Sequence, residues 1–312
     1  MFPKSIICMA LGLALSHSAN AATKHKLLFF SKSSGFEHDV ISYKKGQPSF
    51  AEKIFLELGT KESWEFEFSK DGSKFSPEYL SGFDAVIFYT TGDLTSEGTD
   101  KQPAMSPAGK QALLDYVKGG KGFIGLHSAS DTFHTANESK KGPDRYVNHG
   151  KNADPYICFL GGEFIMHGAQ QVATNTVIDK KFPGFEKLGD TFAFNEEWYS
   201  LKDFNPDIHV LTVIDSPKMQ GNIYQRPAYP NTWARGEGKG RVFYTAMGHR
   251  EDVWTNPTFQ SILTGAVRWV TRDVDAEIPP NLMQAAPGAM TNPTFGEPKP
   301  PAAPAAPVPP AK

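Results

Sequence analysis

One histidine stands where α/β enzymes commonly mount a reactive side chain. The hydrophobic run at 121–124 predicts a strand that stops abruptly at Gly125-Leu126-His127-Ser128. A strand that ends in small residues must turn sharply, and such a turn lifts one side chain clear of the sheet. An imidazole there can move a proton near neutral pH or bind a metal ion, whereas serine or cysteine would indicate covalent acyl transfer. The sequence therefore favours acid–base or metal chemistry centred on His127.

Three further histidines follow predicted strand ends or glycine-containing loops, namely His38, His167 and His249. A single histidine in a loop is more often a solvated or hydrogen-bonded side chain than a catalytic one. Open α/β sheets bind ligands at the carboxyl ends of their strands, where loops from different strands converge. The joint placement of these histidines with His127 therefore predicts one shared site. The other histidines of the mature chain lack this context and are expected to be structural or surface residues: His25, His134, His149 and His209.

Carboxylates accompany the predicted site at two places in the sequence. Asp131 comes four residues after His127, so the two share one face if the turn continues into a helix, and they could then orient one another. Glu196 and Glu197 are adjacent in sequence, and adjacent side chains of an extended chain point to opposite sides. Only one of these two glutamates is therefore expected to enter the site directly.

Aromatic and basic residues near these polar groups favour a carbohydrate ligand. The C–H faces of a sugar stack on aromatic rings while polar groups take its hydroxyls, a role that Trp198, Tyr199 and Trp233 could fill. Arg235 lies two residues after Trp233 on a predicted strand, so it shares that face and could bind a substrate oxygen. The alternative is core packing for the aromatic residues and a surface salt bridge for Arg235.

The sequence lacks the signatures of several other kinds of site. No Gly-x-Gly-x-x-Gly motif follows the first predicted strand and no Walker loop occurs, so no nucleotide cofactor is expected. A His-Glu-x-x-His motif is missing too, but dispersed histidine and glutamate ligands could still bind a divalent ion, with zinc as the first choice. The formal net charge is −2 and no basic patch has interleaved aromatic residues, which argues against nucleic-acid partners.

Strand and helix patterns alternate along the chain and must position these residues. Apolar runs at 26–30 and 84–89 predict buried strands, the alternating run at 64–68 predicts a more exposed strand, and helices are predicted at 49–58 and from Ser106. Gly59 is expected to end the first of these helices. Further strands are predicted at 171–178, 209–214, 231–235 and 241–245, with a final helix at 257–270. This alternation predicts an α/β fold with a doubly wound, mainly parallel sheet.

Both ends of the chain differ in composition from the central domain, which we place at 22–276. Residues 1–21 resemble a signal peptide with an apolar run and an Ala19-Asn20-Ala21 cleavage site, which predicts a periplasmic or secreted protein. No later run reaches the roughly 20 apolar residues of a transmembrane helix. Residues 277–312 are rich in proline and alanine and are predicted to form a disordered tail. The charged, glycine-containing stretch 137–152 is a candidate lid.

Taken together, the motifs resemble those of the ThuA-like, trehalose-utilisation family. The resemblance covers about 26–272 in order and with fitting spacing. It rests on these segments: Gly35-Phe36-Glu37-His38-Asp39, Gly125 to Asp131, Gly161 to His167, Glu196-Glu197-Trp198-Tyr199, Trp233-Ala234-Arg235, and Gly240 to His249. It implies a flavodoxin-like fold of the class I glutamine amidotransferase type. Those enzymes have a cysteine where this chain has His127, so glutamine amide hydrolysis is not expected.

The family is linked to disaccharide breakdown through 3-keto sugars, whose carbonyl acidifies the neighbouring C–H bond. The resemblance therefore implies an exported carbohydrate-active hydrolase, lyase or isomerase; the alternative is a non-catalytic sugar-binding protein of the cell envelope. The residues expected to be catalytic are His127, His167, His249, Asp131 and Glu197. Those expected to bind substrate are His38, Glu196, Trp198, Tyr199, Trp233 and Arg235. A divalent metal, if bound, is expected on His127, His167 and His249.

Overall fold

A computed structural model describes residues 25–135 and 146–293, which fold around one large sheet. Its nine strands are β1 (His25–Phe30), β2 (Trp64–Ser69), β3 (Ala85–Phe88), β4 (Gly122–Leu126), β6 (Gln171–Val177), β7 (Thr191–Glu196), β9 (His209–Ile214), β10 (Tyr229–Glu237) and β11 (Gly240–Thr245). Two further strands, β5 (Glu163–His167) and β8 (Tyr199–Lys202), form a separate antiparallel pair.

The sheet has a parallel half and an antiparallel half. Its strand order is β2-β1-β3-β4-β11-β10-β9-β6-β7. Neighbours from β2 to β11 pair in parallel, and neighbours from β11 to β7 pair antiparallel. Within this sheet only β10 and β6 run against the other strands. The predicted α/β class with a mostly parallel central sheet is thus confirmed, although the antiparallel half was not foreseen.

Helices cover both faces of the sheet, as a doubly wound fold requires. They are α1 (Phe50–Glu62), α2 (Pro77–Ser81), α3 (Pro107–Lys118), α4 (Pro155–Leu160), α5 (Glu251–Trp254), α6 (Pro257–Val270) and α7 (Leu282–Ala285). Gly122 and Gly125 lie three residues apart on β4 and therefore face opposite sides of the sheet. A Cβ on Gly122 would lie 2.9 Å from Cβ of Val270 in α6, and one on Gly125 would lie 2.8 Å from Cδ1 of Leu160 in α4. These glycines let a helix approach the central strand from each side.

The first helix begins as predicted but continues past its expected end. Ser49 and Glu52 form a capping box at the start of α1, which fixes that terminus. Gly59, predicted to end the helix, lies inside it. A Cβ at this position would come within 2.8 Å of the carbonyl oxygen of Trp64, so the glycine permits close packing of α1 on β2. The prediction that Gly59 is a terminator was therefore wrong.

The segment after α6 is packed against the domain as far as the structure describes it. The side chain of Asn281 accepts a hydrogen bond from the backbone N–H of Val210 (2.6 Å) and donates one to its carbonyl oxygen (3.2 Å). The carbonyl oxygen of Ala289 accepts a hydrogen bond from Arg226 at 2.6 Å, and Leu282 is buried. The prediction of disorder from residue 277 was therefore wrong for 277–293. Proline-rich composition did not reveal that these backbone groups find partners on β9 and beside it.

Three predictions fall partly or wholly on residues that the structure does not describe. They are the signal peptide at 1–21, most of the candidate lid at 137–152, and the tail from 294 to 312. Within the described ranges, no helix has the length and apolar character needed to span a membrane.

Candidate functional site

Three of the four histidines singled out by sequence meet one glutamate at the carboxyl ends of the strands. His38 follows β1, His127 follows β4, His249 follows β11, and Glu197 follows β7. A potential ligand atom from each lies within 4.8 Å of those from the other three. We call His38, His127, Glu197 and His249 the site cluster. Its members come from positions more than 200 residues apart in the chain, because the sheet brings these strand ends together.

His127 occupies a sharp turn directly after β4. Its φ of +44° lies in the left-handed region, which few residues other than glycine adopt. The side chain is fully buried, and its Nδ1 lies 2.8 Å from the carbonyl oxygen of Ala246. Since a carbonyl can only accept, Nδ1 carries the hydrogen. In the neutral ring Nε2 then has a lone pair, and it lies 3.4 Å from Oε2 of Glu197.

Glu197 is the centre of the site. Its Oε2 lies 3.1 Å from Nδ1 of His249 and 3.9 Å from Nε2 of His38, and its Oε1 lies 3.2 Å from Nδ1 of His167. Burial would raise the pKa of Glu197, but the surrounding imidazoles of His127, His249 and His38 outweigh burial and hold its pKa well below the usual range. The carboxylate therefore stays ionised.

The imidazoles of the site cluster have ring nitrogens without hydrogen-bond partners. Burial lowers the pKa of His38 and His127, against the opposing effect of Glu197. For His249, burial acts in the same direction but Glu197 outweighs it, so its pKa is raised. Three buried ring nitrogens have no hydrogen-bond partner: His38 Nδ1, His127 Nε2 and His249 Nδ1. Two of these nitrogens, His127 Nε2 and His249 Nδ1, face the carboxylate of Glu197 and leave a place for a cation, since buried polar groups are normally satisfied.

Glu196 supports the site from behind. Its Oε2 accepts hydrogen bonds from the backbone N–H groups of Gly248 (2.9 Å) and His249 (3.1 Å), and its Oε1 accepts one from Glu197 (2.8 Å). Its side chain is fully buried, and burial raises its pKa. The prediction that Glu196 binds substrate is therefore wrong. It holds the turn that presents His249, while Glu197 enters the site.

A cavity of about 340 Å³ opens beside the cluster, a size within the usual range of small-molecule sites. Eight residues line it: Phe36, His38, Asp131, Phe164, His167, Glu197, Tyr199 and His249. No lysine or arginine is among these lining residues. The Tyr199 hydroxyl lies 3.4 Å from Nε2 of His38, and the ring centroids of Tyr199 and His127 are 4.2 Å apart.

His167 lies at the rim of the cavity and outside the site cluster. Its side chain is 43% exposed, and its Nδ1 is 3.0 Å from the carbonyl oxygen of Gly168. Because a carbonyl oxygen can only accept, Nδ1 of His167 carries a hydrogen, and it therefore also faces the carboxylate of Glu197 as a donor. The predicted metal set of His127, His167 and His249 is corrected accordingly: the atoms that converge belong to His127 and His249 together with His38 and Glu197.

Asp131 lines the cavity but does not orient His127. The residues from His127 to Asp131 form a 3₁₀ turn, in which positions four apart no longer share a face. Asp131 instead forms a very short contact with Nε2 of His134, whose Nδ1 lies 3.1 Å from Oε1 of Glu163. Burial would lower the pKa of His134, but the two carboxylates outweigh burial and raise it to about 9.

Three residues predicted to bind substrate belong to the core instead. The buried indole N–H groups of Trp198 and Trp233 donate to the carbonyl oxygens of Gln171 (3.0 Å) and Leu160 (2.8 Å). Arg235 donates to Phe159 (2.7 Å) and forms an ion pair with Glu237 (2.7 Å). None of these three side chains lines the site cavity, so the predictions for them were wrong. Both tryptophans are large apolar groups whose polar atom is satisfied inside the fold.

Two aromatic residues of the cavity were not singled out from the sequence. Phe36 is 68% exposed and its ring lies 5.0 Å from that of His38. Phe164 lies 4.2 Å from Tyr199, measured between ring centroids. Phe36 could have been recognised, because a phenylalanine in a short polar loop next to a site histidine has little to pack against. Phe164 gave no such signal.

A second group of histidine and carboxylates lies behind the cavity wall. His149, Glu163 and Asp203 bring ligand atoms within 4.8 Å of one another. The buried ammonium of Lys202 lies among them, 3.3 Å from Oε2 of Glu163 and 3.5 Å from Oδ2 of Asp203. We call His149, Glu163, Lys202 and Asp203 the wall cluster. In the wall cluster, the ammonium of Lys202 provides the positive charge beside the two carboxylates.

Comparison with known proteins gives a family match and a set of similar folds. A family model described as "ThuA: Trehalose utilisation" matches residues 26–270. A putative ThuA-like protein from Bacteroides uniformis ATCC 8492 is 21% identical, with a TM-score of 0.56 over 79% of this chain and 91% of that chain. One from Parabacteroides merdae ATCC 43184 is 18% identical, with a TM-score of 0.51 over 88% and 98%. No curated protein matched.

Proposed function

Since the chain belongs to the ThuA family, whose description is trehalose utilisation, we propose that it acts on a glycoside or 3-keto-glycoside by metal-assisted acid–base chemistry. One observation carries this proposal. Buried nitrogens of His127 and His249 without hydrogen-bond partners face the ionised carboxylate of Glu197, and this cluster borders a cavity. Buried groups of this kind are costly for folding and are characteristic of functional sites.

The donor set of the site cluster fits a divalent cation, with zinc as the first choice. Three imidazoles and one carboxylate are typical zinc ligands. The contact between Nδ1 of His127 and the carbonyl oxygen of Ala246 is the kind of outer interaction that fixes the tautomer of a metal-binding histidine. His38, His127, Glu197 and His249 would hold the ion. When bound, it would supply a Lewis acid that stabilises negative charge on a substrate oxygen.

The residues of the cavity suit a sugar ring. Phe36, Phe164 and Tyr199 offer aromatic surfaces for the C–H faces, while Asp131 and His167 can accept or donate at the hydroxyls. In a 3-keto sugar the carbonyl acidifies the C–H bond beside it, so removal of that proton could begin isomerisation or elimination of the glycosidic bond. Hydrolysis, lyase and isomerase chemistry thus remain variants of one proposal.

We also infer a class I glutamine amidotransferase-like fold without glutaminase activity. The position of His127 in a left-handed turn after β4 supports this, because those enzymes mount their cysteine on such a turn. Cys158 lies on α4, where burial raises the pKa of its thiol, and it is not in that turn. The signal-like residues 1–21 support export to the periplasm or beyond.

The test is turnover of a keto-glycoside by the chain that starts at Ala22. Methyl 3-keto-α-glucopyranoside serves as the probe, and proton NMR in D₂O follows its consumption and its exchange beside the carbonyl. We expect His127→Asn to lower the rate by about 10²–10⁴-fold, the range typical of a lost acid–base or metal contribution. Asparagine tolerates the left-handed backbone at this position, so the turn is retained.

His209→Gln is the matched control, because His209 pairs with Asp179 and Pro279 away from the cavity. The proposal fails if the wild-type chain leaves the probe unchanged, or if His127→Asn converts it at the wild-type rate. Tight binding of the sugar without conversion would favour the alternative of a sugar-binding protein of the cell envelope.

A further inference from the structure

The proposed function requires a proton acceptor that is not a metal ligand. Imidazole nitrogens that coordinate a cation have no lone pair left to accept a proton. In the site cluster, Nδ1 of His127 is in addition committed to the carbonyl oxygen of Ala246. The acceptor must therefore be sought among the remaining polar side chains that line the cavity, which are Asp131, His167 and Tyr199.

Tyr199 is poorly suited to accept a proton, and His167 is more exposed to water than Asp131. Burial raises the pKa of Tyr199 well above its usual range, so its hydroxyl stays protonated. His167 is 43% exposed at the rim, and its Nδ1 is engaged with Gly168 and Glu197. Its ring stacks on those of Tyr199 and Phe164, with centroids 5.9 and 6.2 Å apart. Since Nδ1 is engaged, only Nε2 could accept a proton, and water can reach this rim imidazole freely. Asp131 remains, with a side chain that is 24% exposed in the cavity wall.

We propose that Asp131 is the proton acceptor of the site, and that His134 and Glu163 are positioning residues that hold its carboxylate at the cavity wall. This inference rests on the proposed function. His134 contacts Oδ1 of Asp131 through Nε2 and Oε1 of Glu163 through Nδ1 (3.1 Å). Because both ring nitrogens are engaged, the imidazole cannot rotate away, and the other oxygen of Asp131 is left for the substrate.

Further contacts hold the side chain of Glu163 in place, and through it the imidazole of His134. Glu163 also accepts a hydrogen bond from the backbone N–H of Thr135 at 3.2 Å, and its Oε2 lies 3.3 Å from Nζ of Lys202. The charged groups packed around His134 are thus Asp131 on one side and Glu163 on the other, with the remaining members of the wall cluster behind. A run of alternating charges leads from that buried cluster to the cavity surface.

The proton transfer balances without any further reactant. The C–H bond beside the carbonyl breaks, and its proton forms an O–H bond with the oxygen of Asp131 that His134 does not hold. The electron pair moves into the ring and leaves an enolate on the former carbonyl oxygen. Return of a proton from Asp131 to carbon regenerates the ketone. In D₂O the carboxylic acid proton exchanges first, so the returning atom is deuterium.

The test compares Asp131→Asn, His134→Gln and Glu163→Gln with the wild-type chain from Ala22, each supplied with zinc. Three quantities are measured: deuterium uptake by methyl 3-keto-α-glucopyranoside, bound zinc, and the dependence of the exchange rate on pH. Asp115→Asn is the matched control, because Asp115 is exposed on α3 and its side chain accepts a hydrogen bond only from Gln111 among the contacts described.

We expect Asp131→Asn to slow exchange by about 10²–10⁴-fold while zinc content is unchanged. His134→Gln and Glu163→Gln should slow it less, on the order of tenfold, as is typical for a partner that orients a reacting group. The wild-type rate should fall as pH rises through about 9, where His134 loses its proton, and His134→Gln should lack this fall.

Equal exchange by wild type and Asp131→Asn, with zinc present in both, would overturn the inference and leave the proposed function standing. The inference also fails if the fall near pH 9 persists in His134→Gln, since His134 would then not be its origin. Absence of exchange by the wild-type chain would contradict the proposed function itself, and with it this assignment. Loss of zinc from Asp131→Asn would assign that residue to metal binding instead.

Discussion

The site cluster and the wall cluster contain the same kinds of side chain but differ in where their positive charge comes from. In the wall cluster, Lys202 lies 3.3 Å from Glu163 and 3.5 Å from Asp203, and all three side chains are fully buried. In the site cluster, Glu197 has only imidazoles around it, and burial lowers the pKa of two of them. The wall cluster contains an ammonium beside its carboxylates, whereas the site cluster contains none.

This difference distinguishes a structural role from a functional one. A buried carboxylate with an ammonium partner stabilises the position of the strands that carry it, here β5 and β8. A buried carboxylate that is surrounded by imidazoles can bind a cation from solution. The two clusters are connected through Glu163 and His134 to Asp131, so the structural cluster supports one wall of the cavity.

The largest expected effect is a loss of stability when the ammonium of Lys202 is removed from the wall cluster. Lys202→Met leaves Glu163 and Asp203 buried without their ammonium partner, which should lower the free energy of unfolding by about 3–5 kcal/mol. Urea denaturation at pH 7 measures this change. Lys218→Met is the control, since the Lys218 side chain is 83% exposed and its ion pair should contribute little. A loss of stability equal to that of the control would show that Lys202 does not balance the cluster.

The second expected effect is stabilisation of the fold by added zinc, which should depend on the site cluster alone. At a zinc concentration about 100 times its Kd, wild-type stability should rise by about 2.7 kcal/mol. Glu197→Gln removes the carboxylate and should abolish this rise; because the pKa of Glu197 is low in the folded protein, the substitution should also lower stability in the absence of metal. Calorimetric melting with and without zinc measures both. Stabilisation by zinc that persists in Glu197→Gln would contradict the assignment of the ligands.

The third expected effect is a dependence of stability on pH that comes from His134, which lies between Asp131 and Glu163. The pKa of His134 is raised to about 9 in the folded protein, above its usual value of 6.5. Its contribution to stability is therefore fully present below pH 6.5 and is lost as pH rises through about 9. The loss between pH 7 and pH 10 is roughly 2.5 kcal/mol. Denaturation at pH 7 and pH 10 should show this loss in wild type and a smaller one in His134→Gln.

The smallest effect on the fold is expected at the rim of the cavity. Phe36 is 68% exposed, so Phe36→Ala should change stability by less than about 0.5 kcal/mol. If its ring stacks on the sugar, affinity for the keto-glycoside should fall by about 1 kcal/mol, the usual value of an aromatic contact. Titration calorimetry with the probe measures the affinity. Exposed Tyr43→Ala is the control for an aromatic residue outside the cavity. An unchanged affinity would remove Phe36 from the sugar-binding surface.

The sequence predicted the parallel half of the sheet better than the antiparallel half. Buried strands at β1, β3 and β4 are continuous apolar runs, and helices between them require parallel pairing. For β10 and β11, only the two-residue connection between them indicates a hairpin. The order of β9, β6 and β7 depends on contacts between distant segments, which composition and periodicity do not contain.

The same reason explains which site residues could be predicted. His38, His127 and His249 follow strand ends of the parallel half, so the rule for ligand binding at those ends applied to them. Glu197 follows β7 at the far edge of the antiparallel half, and sequence alone could not decide between it and Glu196. Trp198 and Trp233 were misassigned because an aromatic residue near polar groups has the same sequence pattern in a core and in a binding site.

Zinc stoichiometry in a matched pair of histidine variants tests the central claim most directly. His127→Asn changes the site cluster and His149→Gln changes the wall cluster, and each removes one imidazole from a group of similar composition. After dialysis against zinc and then buffer, elemental analysis should find about one ion per chain in wild type and in His149→Gln, and none in His127→Asn. No zinc in the wild-type chain, or zinc that is lost from His149→Gln and kept by His127→Asn, would contradict the account.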